Sequence, residues 1–132
     1  MKLKASGLFD NLRDDCLAAA LEFIGTVFFL LFGLGGIQAA TAESTVTNRP
    51  SSSTLEQVLY ISTCMGLSLL ISAWMFFRVT GGLFNPNISL ALLLIRSLGP
   101  VRFVLYCVAQ LVGAIAASAI VRGLTSADLS VK

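Results

Sequence analysis

One stretch decides how this chain folds: Arg78-Val79-Thr80-Gly81-Gly82-Leu83-Phe84-Asn85-Pro86-Asn87. A short apolar run, residues 88–94, follows it, and Arg96 comes soon after that run. A helix needs about 20 apolar residues to cross a bilayer, and about ten residues reach only half of the hydrocarbon thickness. The run therefore predicts either a re-entrant half-helix or a helix that lies at the membrane interface.

The residues in front of the short run favour a helix that begins there. Asn85 is a good N-cap, and Pro86 would occupy the first helical position, where its missing N–H costs nothing. Gly81 and Gly82 allow the preceding backbone to turn sharply. Irregular backbone at membrane depth is tolerated only where protein or a water-filled cavity satisfies its polar groups, so the stretch predicts a lined cavity.

Three longer apolar segments surround this stretch, at residues 16–37, 58–77 and 103–121, and each is long enough to span a membrane. The first is longer than the apolar part of a signal peptide, which is about 7–15 residues and follows a basic flank. It follows Asp14-Asp15 instead, and we interpret it as a retained span. Residues 38–57 are predicted to form a polar loop.

The sequence therefore predicts an all-α membrane protein with three transmembrane helices and one re-entrant half-helix. We expect residues 1–15 to form a cytoplasmic segment, residues 16–125 the membrane domain, and residues 126–132 a tail. The chain is integral to the membrane and multi-pass in this interpretation, with the lipid bilayer as its surroundings.

Composition supports lipid as the solvent and excludes several functions. Mean hydropathy is +0.87 and only 12% of residues are charged, against about 25% in soluble domains. Histidine is absent, which removes the commonest general base and metal ligand, and we predict neither an enzyme nor a metal or cofactor site. No basic patch suggests nucleic acid. The 3 cysteines are expected to be buried small apolar residues without a disulfide framework.

The distribution of the 9 lysine and arginine residues predicts the orientation. With the N-terminus in the cytoplasm, the cations inside are Lys2, Lys4, Arg13, Arg78, Arg96 and Arg102. Those outside are Arg49, Arg122 and Lys132. Since cytoplasmic loops carry the excess of lysine and arginine, a cytoplasmic N-terminus is favoured, and the half-helix would then enter from the cytoplasmic side.

The half-helix tip is the strongest candidate for a functional site. A helix N-terminus presents unpaired N–H groups and a positive dipole end, which repels cations at a membrane midplane. The Asn85 amide adds a donor, and the carbonyls of Gly81, Gly82 and Leu83 would be acceptors. Such a set suits a neutral, hydrogen-bonding solute. An ordinary Asn-Pro turn is the alternative, but the half-length apolar run favours the functional interpretation.

Three motifs resemble those of the major intrinsic protein family, the aquaporins and aquaglyceroporins. They are Thr80-Gly81-Gly82-Leu83-Phe84-Asn85-Pro86-Asn87-Ile88-Ser89-Leu90, Glu22-Phe23-Ile24-Gly25-Thr26 and Ala109-Gln110-Leu111-Val112-Gly113-Ala114. The sequence of the first motif is especially similar to that of fungal members. The resemblance covers nearly all of residues 16–125 and implies the first half of a six-span inverted-repeat channel, usually a tetramer, that passes water and in some members glycerol.

The resemblance also implies pore-lining positions, at Phe29, Met65 and Leu69. The family motif Asn-Pro-Ala is Asn-Pro-Asn here, so Asn87 enlarges the third position. Water-selective members usually carry an aromatic residue where this chain has Met65, so glycerol-like solutes are also expected. The family's second half, with its own half-helix, has no counterpart in the chain, which we expect to be truncated. The alternative function is a non-conducting three-span fragment that associates with full-length relatives.

Glu22 and Gln110 are polar residues within apolar spans. Intramembrane carboxylates are costly and usually functional, so Glu22 could belong to a proton relay. No second acidic or basic residue lies in any span, and we favour a structural role in which Glu22 accepts hydrogen bonds from loop backbone. Gln110 is likewise interpreted as a hydrogen-bonding brace and not as a solute contact.

Overall fold

A computed structural model describes residues 11–46 and 54–125 of the chain. These residues form four α-helices: α1 (Leu12–Val46), α2 (Leu55–Thr80), α3 (Pro86–Leu94) and α4 (Pro100–Leu124). Helices α1, α2 and α4 are long and apolar enough to cross a membrane, and the short helix α3 comes between the last two. The prediction of an all-α fold with three long helices and one short one is confirmed.

Helix α1 is longer at both ends than the span predicted at residues 16–37. It begins at Leu12, where Asp14 and Asp15 lie in the first turn and interact favourably with the positive end of the helix dipole. It continues to Val46, so the prediction of a loop from residue 38 is wrong. The alanine-rich sequence after Ile37 explains this difference, since alanine is the strongest helix former.

The remaining boundary differences are smaller. Helix α2 begins three residues before the predicted span, and the Thr54 side chain caps it by accepting a hydrogen bond from the Gln57 N–H at 3.2 Å. Residues 1–10 of the predicted cytoplasmic segment, residues 47–53 of the predicted loop and the predicted tail, residues 126–132, lie outside the described residues.

Helix α1 is the centre of the arrangement, because it packs against both α2 and α4, whereas α3 packs against α4. Small residues allow these close approaches. A Cβ atom at Gly113 of α4 would lie 3.0 Å from the Phe23 carbonyl oxygen of α1. On the other side, a Cβ atom at Gly36 would lie 2.6 Å from that of Cys64 in α2. The helix contacts therefore depend on glycine at matched positions.

Large apolar side chains lie mostly on the outside, as expected for helices surrounded by lipid. The three cysteines are free thiols: Cys16 is exposed, and Cys64 and Cys107 are half-buried. The expectation that all three are buried is therefore wrong, because Cys16 is exposed at the edge of the groove between α1 and α4. The outward faces of the spans tolerate a small apolar residue such as cysteine as readily as the interior does.

Candidate functional site

The chain leaves α2 through the sharp turn that the two glycines predicted. The Gly81 N–H makes the last helical hydrogen bond, to the Phe77 carbonyl at 3.1 Å. Gly81 (φ 91°) and Gly82 (φ 60°) both adopt the left-handed region, which glycine enters without steric cost. The Gly82 N–H then turns to the Thr80 side-chain Oγ1, at 3.1 Å. Helix α2 thus ends in a backbone conformation that residues with a Cβ atom rarely adopt.

The next two backbone donors are bound by Glu22 of α1. The Leu83 N–H donates to Glu22 Oε1 at 3.1 Å, and the Phe84 N–H donates to Oε2 at 2.9 Å. The Gln110 amide of α4 adds a third donor to Oε2, at 3.0 Å. Glu22 has no exposed surface, so one buried carboxylate joins α1, α4 and the loop.

Gln110 also connects α4 to the short helix. Its Nε2 lies 3.1 Å from the Ser89 Oγ, and that hydroxyl donates to the Asn85 carbonyl at 3.1 Å. Ser89 is fully buried, and the sequence reasoning did not identify it as a site residue. The available signal was a hydroxyl four residues after the N-cap, in a helix whose other polar residue is Asn87.

Asn85 caps α3 as predicted, with Pro86 at the start of the helix. Its Oδ1 accepts the Asn87 N–H at 2.9 Å. Within the described part of the chain, the Asn85 NH₂ group has no hydrogen-bond partner, and the side chains of Asn85 and Asn87 are both exposed. The tip of α3 therefore presents a free amide donor next to the helix N-terminus.

The carbonyl oxygens of Gly81, Gly82 and Leu83 form the second half of the candidate site. None of them accepts a hydrogen bond from the described residues. We define these three carbonyls as the acceptor row. Unpaired carbonyls are costly in lipid unless water or a solute reaches them, so their presence at a turn between membrane helices is chemically informative.

Phe84 anchors the loop, and the sequence reasoning missed this role. It is a non-glycine residue with a positive φ of 46°, a conformation that persists only when its surroundings fix it. Its ring is buried, stacks on Phe29 with centroids 6.5 Å apart, and meets Phe76 edge-on at 6.0 Å. A Cβ atom at Gly25 would lie only 2.1 Å from the Phe84 ring, so Gly25 makes room for it.

The three positions that resemble pore-lining residues have different environments. Phe29 is half-buried against Phe84. Met65 is also half-buried, and its sulfur would lie 2.6 Å from a Cβ atom at Gly33. Leu69, one turn further along α2, is 43% exposed. Phe29 contacts the loop through the Phe84 ring, and the lining role of all three stays a prediction.

Tyr106 of α4 is a second site residue that the sequence reasoning missed. It is fully buried, and its hydroxyl donates to the Thr80 carbonyl at 3.3 Å. One turn earlier in α4, the Arg102 Nε pairs with the Asp15 carboxylate of α1 at 2.7 Å. The spacing of four residues from Arg102 to Tyr106 to Gln110 places all three on one face of the helix.

Comparison with known proteins identifies the same family as the three sequence motifs. The family model described as "Major intrinsic protein" matches residues 12–132. Aquaporin-1 of Laccaria bicolor is 70% identical over 131 residues, which are 99% of this chain and 42% of that protein. Aquaporin-2 of Botryotinia fuckeliana is 44% identical over 125 residues, or 92% and 33% of the two chains. The chain therefore spans less than half the length of these relatives.

Proposed function

Since the chain belongs to the major intrinsic protein family, we propose that it lines one half of a membrane channel for water and for small neutral solutes of the glycerol type. The channel is passive, and its subunits assemble as a tetramer in this proposal. The N-terminus lies in the cytoplasm, so that α3 enters the membrane from that side. The names of the relatives support this proposal, as does the chemistry of the loop.

The tip of α3 is the observation that carries the proposal. The free Asn85 amide and the helix N-terminus supply donors, and the acceptor row supplies oxygens along the approach to them. A water molecule or an alcohol can exchange its hydrogen bonds with both sets as it passes. A cation gains nothing at the positive end of a helix dipole. The site is therefore suited to neutral solutes.

Glu22 and Gln110 have a structural role in this proposal. Their hydrogen bonds satisfy the loop backbone without occupying the acceptor row, which stays available to solute. We infer that Phe29, Met65 and Leu69 line the route outside the tip. The exposed Leu69 and the half-buried Met65 are both flexible apolar residues, and they leave more width than an aromatic ring would.

The test is water permeability of a complete channel, built by combining this chain with the part of Laccaria bicolor Aquaporin-1 that lies outside the match. We expect Asn85→Leu to reduce water flux severely, because it removes both the cap and the free donor. Stopped-flow light scattering on proteoliposomes measures the flux. Asn87→Ala, which keeps the cap, is the matched control and should conduct. Equal flux through both variants would refute the role of Asn85.

We also predict that the 132 residues alone do not form a selective water pore. Copies of one sequence share one preferred orientation, so their half-helices would enter from the same side and leave the opposite side unlined. Proteoliposomes that contain only this chain should match lipid-only vesicles in swelling rate. Fast water flux that excludes protons would contradict the prediction and indicate copies of opposite orientation.

A further inference from the structure

The backbone N–H and C=O groups of residues 80–84 can form hydrogen bonds in two competing arrangements. If α2 continued as a helix, the Leu83 N–H would pair with the Val79 carbonyl, and the Phe84 N–H would pair with the Thr80 carbonyl. In the structure Glu22 accepts both N–H groups. This capture stops the helix, but it also removes the donor that the Thr80 carbonyl would have had.

Tyr106 replaces that missing donor. Its hydroxyl lies 3.3 Å from the Thr80 carbonyl oxygen, and its ring belongs to the buried apolar cluster with Ala18, Ala19 and Leu83. Among the described residues, the backbones of α2 and α4 do not come close to each other. The Tyr106 side chain therefore spans a gap between two helices in order to reach one peptide group.

We propose that Tyr106 is a positioning residue for the acceptor row. By holding the Thr80 carbonyl, it fixes the peptide group from which Gly81, Gly82 and Leu83 continue, and it removes the acceptor that α2 would need for another turn. Glu22 captures the donors of the competing helix and Tyr106 captures its acceptor. The two residues together stabilise the loop over a continued α2 helix. The importance of the acceptor row for solute passage rests on the proposed function.

The geometry explains why the hydrogen bonds of both Glu22 and Tyr106 are needed. With Glu22 alone, the Thr80 carbonyl would be a buried acceptor without a partner, and it would compete to recover the Phe84 N–H. The Thr80 hydroxyl accepts from the Gly82 N–H at 3.1 Å and donates to the Phe76 carbonyl at 3.4 Å, so that side chain has no donor left for the Thr80 carbonyl. The hydroxyl of Tyr106 is the donor that the described residues place within reach.

The first experiment measures hydrogen exchange of backbone amides in the 132-residue chain in lipid nanodiscs. Tyr106→Phe keeps the ring and removes only the hydroxyl. We expect the amides of Leu83 and Phe84 to exchange roughly tenfold faster, as for the loss of one net hydrogen bond. Ser118→Ala is the matched control on the same helix, since its hydroxyl bonds only within α4, to Ala114. Unchanged exchange in Tyr106→Phe overturns the proposal.

A second measurement keeps the proposal testable if Tyr106→Phe does not fold. Solid-state NMR of the unsubstituted chain, with labelled tyrosine Cζ and threonine carbonyl carbons, should give a contact between Tyr106 and Thr80. The chain has only 2 tyrosines, so Tyr60→Phe assigns the signal. The absence of that contact overturns the proposal.

The complete channel separates this inference from the proposed function. If the parent channel conducts water, Tyr106→Phe is expected to lower its flux severalfold at equal abundance, and Ser118→Ala is not. Full flux through Tyr106→Phe then overturns the positioning role alone. If the parent itself does not conduct, the proposed function fails, and the exchange and NMR measurements still decide whether Tyr106 holds the loop.

Discussion

The interface of α1 with α4 and the outward face of α2 are opposite in character. At the interface, Glu22 and Gln110 are almost completely buried. On the outward face, Trp74 is 81% exposed and Phe77 is 67% exposed. A soluble protein has this distribution reversed. Polar and small side chains therefore make up a large part of the inside of this molecule.

The difference follows from the solvent. Lipid tails are as apolar as leucine, so burying an apolar side chain between helices gains little. Close packing and hydrogen bonds hold the helices together instead, and an unsatisfied backbone group is expensive. The interface supplies both: glycine and alanine allow contact between α1 and α4, and the Glu22 carboxylate satisfies the loop.

Replacement of Glu22 tests the interface most severely. Glu22→Leu leaves two backbone N–H groups and the Gln110 amide without their acceptor, at about 1–3 kcal/mol for each buried group. We expect the variant to misfold, whereas Glu22→Gln keeps one acceptor oxygen and should lose much less. Monodisperse yield in detergent and thermal unfolding followed by circular dichroism measure the difference. Equal assembly of both variants would show that the interface does not depend on this carboxylate.

Gly25 gives the second largest expected effect, through packing and not through polarity. Gly25→Ala places a methyl group 2.1 Å from the Phe84 ring position, and the ring must move. Overpacking of this kind costs about 1–3 kcal/mol. Gly35→Ala is the matched control in the same helix, since nothing lies within 4 Å of its added Cβ atom. The free energies of unfolding should differ by that amount, and identical values would mean that Phe84 is not fixed by α1.

The ion pair between Arg102 and Asp15 should matter least at the interface. Their side chains are 35% and 15% exposed, and pairs that reach solvent contribute about 0–1 kcal/mol. Arg102→Gln is therefore expected to lower the free energy of unfolding only slightly. Trp74→Leu on the outward face of α2 is the comparison and should change it no more than that. If Arg102→Gln lowered the free energy of unfolding as much as Gly25→Ala does, the ion pair at the end of the helices would also be essential to the interface.

Much of the fold could be predicted from residue patterns. Asn85-Pro86 is a local capping signal, and Gly81-Gly82 is a local turn signal, so the start of α3 and the turn after α2 followed from sequence, although α2 ends at Thr80 and not at residue 77. The first turn of α1, residues 12–15, and its extension over residues 38–46 could not be predicted in this way. The length of an apolar run reflects the thickness of the membrane and not the length of the helix. A helix of good formers continues past the lipid until a stop signal ends it.

The sequence by itself determined that this chain crosses a membrane three times, that a half-length helix begins directly after its cap Asn85, and that Glu22 is an unusual charge inside a span. These features depend on composition and on neighbours within a few residues. Only the tertiary structure decided that Tyr106 reaches Thr80, that Ser89 meets Gln110, and that Gly25 accommodates Phe84. Each of these contacts joins residues far apart in the chain, and a buried hydroxyl or a glycine has the same local pattern whether its partner is its own helix, lipid or another element.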